Sequence, residues 1–182
     1  MALVSTPADE LGAFCPDFTL PATNGKKYSM ADFARGNPFV IMFICNHCPY
    51  VKAIEDRLIT LGKELKLLNV SVAAICSNDA KNYPEDSFEA LKKRADEKKY
   101  PFPYLYDESQ AVAKLFGAVC TPDFFVYNKT SHLAYRGRLD DSWKDAAKVS
   151  RRELFQAVDQ LLKSDEFPKG QTPSMGCSIK WK

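Results

Sequence analysis

The residues best suited to chemistry stand together in Ile44-Cys45-Asn46-His47-Cys48-Pro49-Tyr50. Two thiols separated by two residues can form a dithiol that exchanges electrons with another disulfide, half of a zinc site, or the remodelled nucleophile of a peroxidase. A structural zinc needs four ligands, yet the chain has no second CxxC, and His132 falls in a predicted strand. The pattern therefore favours redox chemistry without metal or cofactor. Four further cysteines are weighed beside the pair. Cys76 ends an apolar run and reads as a small core residue, Cys15 reads as a bystander, and Cys120 is divided between packing and the active site. Cys177 lies in a tail whose Ile179 and Trp181 favour docking. A docked tail brings Cys177 to the pair as a third thiol, whereas a loose one leaves it idle.

Position decides what the pair can do. Phe39 to Ile44 is continuously apolar, as in a strand buried on both faces of a parallel sheet. Val51, Ile54, Leu58, Leu61 and Leu65 then recur at steps of three and four, forming one stripe of a helix. Val70 to Cys76 is a second buried strand, so the CxxC lies at the strand-to-helix junction of a βαβ unit. The first turn of a helix offers unpaired N–H groups and the positive end of the dipole, both of which stabilise a thiolate. Cys45 is read as the sulfur nearer the exposed helix start, which attacks a substrate disulfide or accepts attack, and Cys48 as the one that resolves the mixed disulfide. His47, between them, is read as a group that tunes the thiolate.

The remaining elements complete a mixed α/β pattern. Asn24-Gly25 predicts a hairpin between Asp17–Leu20 and Lys27-Tyr28, followed by a short helical turn over 30–34. An exposed charged helix over 86–98 precedes a strand over 102–106 and a helix over 109–116 that stops at Gly117. Strands over 124–127 and 132–136 form a hairpin. A final helix starts at Ser150 with Glu153 as a capping box, and the chain is read as irregular past Pro168.

These motifs resemble the thioredoxin superfamily, specifically the redoxin group of alkyl hydroperoxide reductase and thiol-specific antioxidant proteins (AhpC/TSA), with a TlpA- or ResA-like CNHC site. The matching residues are Pro16-Asp17-Phe18, Leu20-Pro21 with Asn24-Gly25, Cys45-Asn46-His47-Cys48-Pro49, Tyr104 to Glu108, and Cys120-Thr121-Pro122. The resemblance covers about residues 10–163 and leaves 164–182 as a C-terminal tail of a single domain, 1–182. It implies a thioredoxin-like fold, with a central mixed β-sheet flanked by helices and an N-terminal β-hairpin extension. It further implies a cis Thr121-Pro122 bond against the CxxC, with the Thr121 backbone open to a substrate peptide.

The expected activity is thiol–disulfide exchange with a protein or small-molecule disulfide, supported by an external thiol reductant. The first alternative is a peroxidase acting on hydroperoxides. If Cys48 is aligned with the peroxidatic position of PxxxTxxC, Ile41 replaces the proline and Cys45 the hydroxyl, and neither Arg136 nor Arg138 is selected as the peroxidase arginine. The second alternative is a redox-inert adaptor. A formal net charge of +2 argues against nucleic acid as the partner. The longest apolar run, Phe39 to Cys45, is too short to span a bilayer. The N-terminus has no basic residue before Asp9-Glu10, so it does not read as a secretory signal, and the expected location is the cytoplasm.

Overall fold

Phe39–Phe43 runs through the middle of the molecule, every residue at most 1% exposed. The structure is a computed structural model and describes residues 3–6 and 11–182, which leaves Asp9-Glu10 outside the described residues. In chain order the strands are β1 (Leu3–Ser5), β2 (Thr19–Pro21), β3 (Lys27–Ser29), β4 (Phe39–Phe43), β5 (Ser71–Cys76), β6 (Tyr104–Tyr106), β7 (Cys120–Thr121), β8 (Asp123–Tyr127), β9 (Leu133–Arg136) and β10 (Met175–Ser178). The α-helices are α1 (Pro49–Leu67), α2 (Phe88–Lys98), α3 (Ala111–Leu115) and α4 (Glu153–Ser164).

The main sheet has the order β6-β5-β4-β8-β9. The β4–β5 and β5–β6 pairs are parallel, while β4–β8 and β8–β9 are antiparallel, which makes the sheet mixed. Alternate residues of β4 feed two cores. Val40 and Met42 pack with Leu58 of α1 and Leu154 of α4, whereas Phe39, Ile41 and Phe43 pack with Phe18 and Phe116 on the opposite face. A residue buried on either face contributes on the order of 1.5–3 kcal/mol, so β4 is held firmly from both sides. It is therefore a rigid platform for the loop that follows it.

The N-terminal hairpin forms as predicted, β2 against β3, with Gly25 at φ +81° in its turn. Two expectations fail. The last helix starts at Glu153, not Ser150, because Ser150 is drawn away by Asp141 and the Glu153 carboxylate binds Arg138. The segment beyond Pro168 is not irregular, since it contains β10, which lies between β1 and β7 in a second sheet. The hydrogen bonds that stabilise this strand come from segments far away in sequence, so no local pattern announces it.

Candidate active site

Helix α1 begins at Pro49, and Cys48 is its N-cap. Proline suits this first position, since its fixed φ is helical and its missing N–H would have had no partner there. The helix start expected to act on Cys45 therefore acts on Cys48, and Cys45 lies before it, in the bend that leaves β4. Neither sulfur faces solvent, for Cys45 is 1% and Cys48 0% exposed, which corrects the picture of Cys45 at an open helix end.

Cys48 lies among hydrogen-bond partners. Its thiol donates to the Thr121 carbonyl at 3.1 Å and meets Cys177 Sγ at 3.1 Å. On ionisation the donors around it dominate, chiefly the Cys45 thiol, then the Cys177 thiol and the N–H groups of Val51 and Cys177. They outweigh burial and lower the Cys48 pKa to about 5. The two neighbouring thiols move the opposite way. Burial, then the bond to Cys48 and the charge of Asp86, hold Cys45 well above the ordinary thiol range, although the Thr121 hydroxyl 3.2 Å away offsets part of this. Burial and the bond to Cys48 push Cys177 up to about 12. One sulfur carries the negative charge, and two protonated thiols support it.

His47 is held by Asp86. Its Nδ1 is 2.6 Å from Oδ2 of the fully buried Asp86, and its ring stacks on Tyr83 at a centroid distance of 5.0 Å. Asp86 also accepts from the backbone N–H groups of Asn46 and His47 and from Asn78 Nδ2, so a single carboxylate fixes the bend between the two cysteines. A sulfur of Cys45, a ring nitrogen of His47 and an oxygen of Asp86 come within 4.8 Å of one another, the cluster among the described residues whose donors could share a cation. Both Asp86 oxygens are already taken by N–H donors, which a cation would have to displace.

Thr121-Pro122 is cis, as the resemblance implied, and brings Thr121 against both cysteines of the motif. Its backbone is not open, however. It pairs antiparallel with the chain's own β10, Cys177 opposite Thr121 and Ser178 opposite Cys120. Gly176 permits that approach, since a Cβ there would run into the Thr121 carbonyl. A cavity of about 180 Å³ beside Pro122 is bordered by Tyr50, Trp143 and Met175. Cys120 is fully buried beside Thr121, its thiol directed to the Pro122 carbonyl at 3.5 Å, and burial pushes its pKa up. Arg136 and Arg138 are engaged by Asp123 and Glu153 respectively.

Asp86 is the residue that sequence reading missed, having been assigned to the start of an exposed charged helix. Its usable signal was indirect. Asn78 and Asp79 follow the buried strand β5 at the same sheet edge as the CxxC, where loops of α/β folds carry function.

The AhpC/TSA family model matches residues 11–136, more than half of the chain. Two solved structures are similar over nearly the whole length. An uncharacterized conserved protein from Geobacillus kaustophilus is 45% identical with a TM-score of 0.95, the match covering 100% of this chain and 97% of that one. A hypothetical protein from Sinorhizobium meliloti 1021 is 37% identical with a TM-score of 0.93, covering 98% of each chain. The thioredoxin domain of a thiol-disulfide oxidoreductase from Bacteroides vulgatus shares the fold at 14% identity and a TM-score of 0.66, over 86% of this chain and 100% of that one. No curated protein sequence matches the chain. Among the described residues no helix is long and apolar enough to cross a membrane.

Proposed function

The chain belongs to the AhpC/TSA family, and on that premise we propose that it is a thiol–disulfide oxidoreductase whose attacking group is the Cys48 thiolate. The observation that carries this reading is the set of donors converging on the Cys48 sulfur at the N-terminus of α1. A thiolate, not a thiol, is the nucleophile, and a group with a pKa of about 5 is ionised at neutral pH.

In the first step Cys48 attacks one sulfur of a protein or small-molecule disulfide. A Cys48 mixed disulfide forms, and the other half of the substrate leaves as a thiol. Cys45 then attacks the Cys48 sulfur, closing the Cys45–Cys48 disulfide and releasing the second thiol. His47, oriented by Asp86, takes the proton that Cys45 must lose. Thr121 holds the Cys45 sulfur through its hydroxyl, and Pro122 shapes the groove that receives the leaving half. An external thiol reductant restores the dithiol. The setting of this reading is the cytoplasm, where thiol pools keep such pairs reduced.

The test is exchange of the reduced protein with hydroxyethyl disulfide, followed by mass. Wild type should close an intramolecular disulfide, and Cys48→Ser should neither form a mixed disulfide nor close one. A Cys48→Ser variant that exchanges at the wild-type rate would overturn the assignment. Stopped-flow oxidation by hydrogen peroxide should be no faster than for a fully ionised free cysteine thiolate; a much faster reaction would move the activity to hydroperoxide reduction.

A further inference from the structure

We infer that Cys177 is a third redox-active thiol, which forms a disulfide with Cys48 as an alternative to Cys45. The inference rests on the exchange chemistry proposed above and adds a second resolving residue from the other end of the chain. Three observations carry it.

The first is the distance. Cys48 Sγ and Cys177 Sγ are 3.1 Å apart, about one ångström more than the ~2.05 Å of a disulfide, so closure requires only a small movement. The second is the route by which Cys177 arrives. Strand β10 pairs with Thr121, the residue whose carbonyl meets Cys48, and it thereby presents a cysteine to the thiolate as an incoming substrate strand would. The third is the fastening of this strand. Ser174 Oγ donates to the Pro122 carbonyl at 2.9 Å, Ile179 N to the Val119 carbonyl at 3.0 Å, and Lys180 N to Asn78 Oδ1 at 2.8 Å. Ile179 is itself part of the core. Such a tail holds the sulfur in place instead of carrying it loosely past the site.

The electron balance follows that of the CxxC. Cys48 thiolate attacks an external disulfide, its S–S bond breaks, and one half departs as a thiol. Cys177 gives up its proton and attacks Cys48 Sγ. The Cys48–Cys177 bond forms, the bond to the remaining half breaks, and that half leaves with the proton. Two protein thiols are oxidised and one external disulfide is reduced to two thiols. Attack of Cys45 on Cys48 of this bridge then yields Cys45–Cys48 and returns Cys177 to the thiol, with no net redox change. Cys48 is thus a pivot that two partners share.

The experiment uses the full chain, reduced and titrated with hydroxyethyl disulfide, then quenched with acid and an alkylating agent and mapped as non-reduced peptides. In Cys45→Ser the expected result is loss of alkylation at both Cys48 and Cys177 and a peptide pair linking them. In Cys177→Ser the Cys45–Cys48 bridge should form instead. If Cys45→Ser stops at the Cys48 mixed disulfide with Cys177 still alkylated, while Cys177→Ser closes normally, the third thiol is refuted and the exchange reading stands. If Cys48 enters no disulfide at all in any variant, neither with hydroxyethyl thiol nor with another cysteine, the exchange reading falls and this inference with it. Should Cys45→Ser lose its fold by circular dichroism, the wild type decides. A 48–177 linked pair at intermediate titration supports the proposal, and a titration that passes only through the 45–48 bridge overturns it.

Discussion

Strands β4 and β5 are parallel neighbours, and both end near a cysteine sealed from solvent, yet the two sulfurs are opposite in character. Beyond β4, Cys48 caps a helix, and four donors from three segments lower its pKa to about 5. At the end of β5, Cys76 is equally buried, and desolvation, with the charges of Asp86 and Asp107 adding to it, pushes its pKa up. Burial alone makes a thiol inert. A buried thiol becomes a nucleophile only where donors converge on the sulfur and outweigh the loss of water. Asp86 lies between the two strand ends, accepting from Asn46 and His47 on one side and Asn78 on the other, and so it holds them in register.

The contrast can be broken most completely at the sulfurs themselves. Cys48→Ser should abolish exchange with hydroxyethyl disulfide, while Cys76→Ala should leave it intact; loss of exchange in both would show that the two strand ends are not chemically distinct. Next in size is Asp86→Ala, which leaves the N–H groups of Asn46 and His47 and the Asn78 amide without their acceptor. It should cost about 3 kcal/mol in urea denaturation, more than a surface carboxylate would. Gly176→Ala should crowd the Thr121 carbonyl and loosen β10, at about 1–3 kcal/mol, read as faster alkylation of Cys48 in the native protein.

The smallest effect concerns ionisation. Thiolate absorbance should titrate with a midpoint near about 5 in wild type and move up in Cys45→Ala, less so in Cys177→Ala, following the order of their contributions. Cys76→Ala should leave it where it is. The sign for stability follows directly. The Cys48 pKa is lower in the fold than in the unfolded chain, so the thiolate's contribution is fully present above the free-thiol pKa of ~8.5 and is lost as pH falls through about 5. Reduced wild type should therefore lose stability relative to Cys48→Ser over that window, measured by denaturation at several pH values.

Much of this site is legible in local sequence. The apolar run of β4, the helical stripe of α1 and the Asn24-Gly25 turn each depend on neighbours within a few residues, and so they were readable. That Thr121-Pro122 is cis and lies against the CxxC was implied by the family resemblance. The relative standing of the two thiols was not readable, because it depends on where α1 takes its N-cap and on which donors reach each sulfur. The partner of His47 was not readable either, because its ring meets Asp86, a residue of distant sequence position.

By itself, then, the sequence determined that a dithiol would stand at a buried strand-to-helix junction in a mixed α/β sheet, since period and turn chemistry act over short range. Only the tertiary structure decided that Cys48 carries the charge and that Cys177 lies against it. Those outcomes depend on β10 crossing to Thr121, with Cys48 and Cys177 separated by 129 positions. Contacts of that separation arise from the packing of the whole chain, and no short window of residues encodes them.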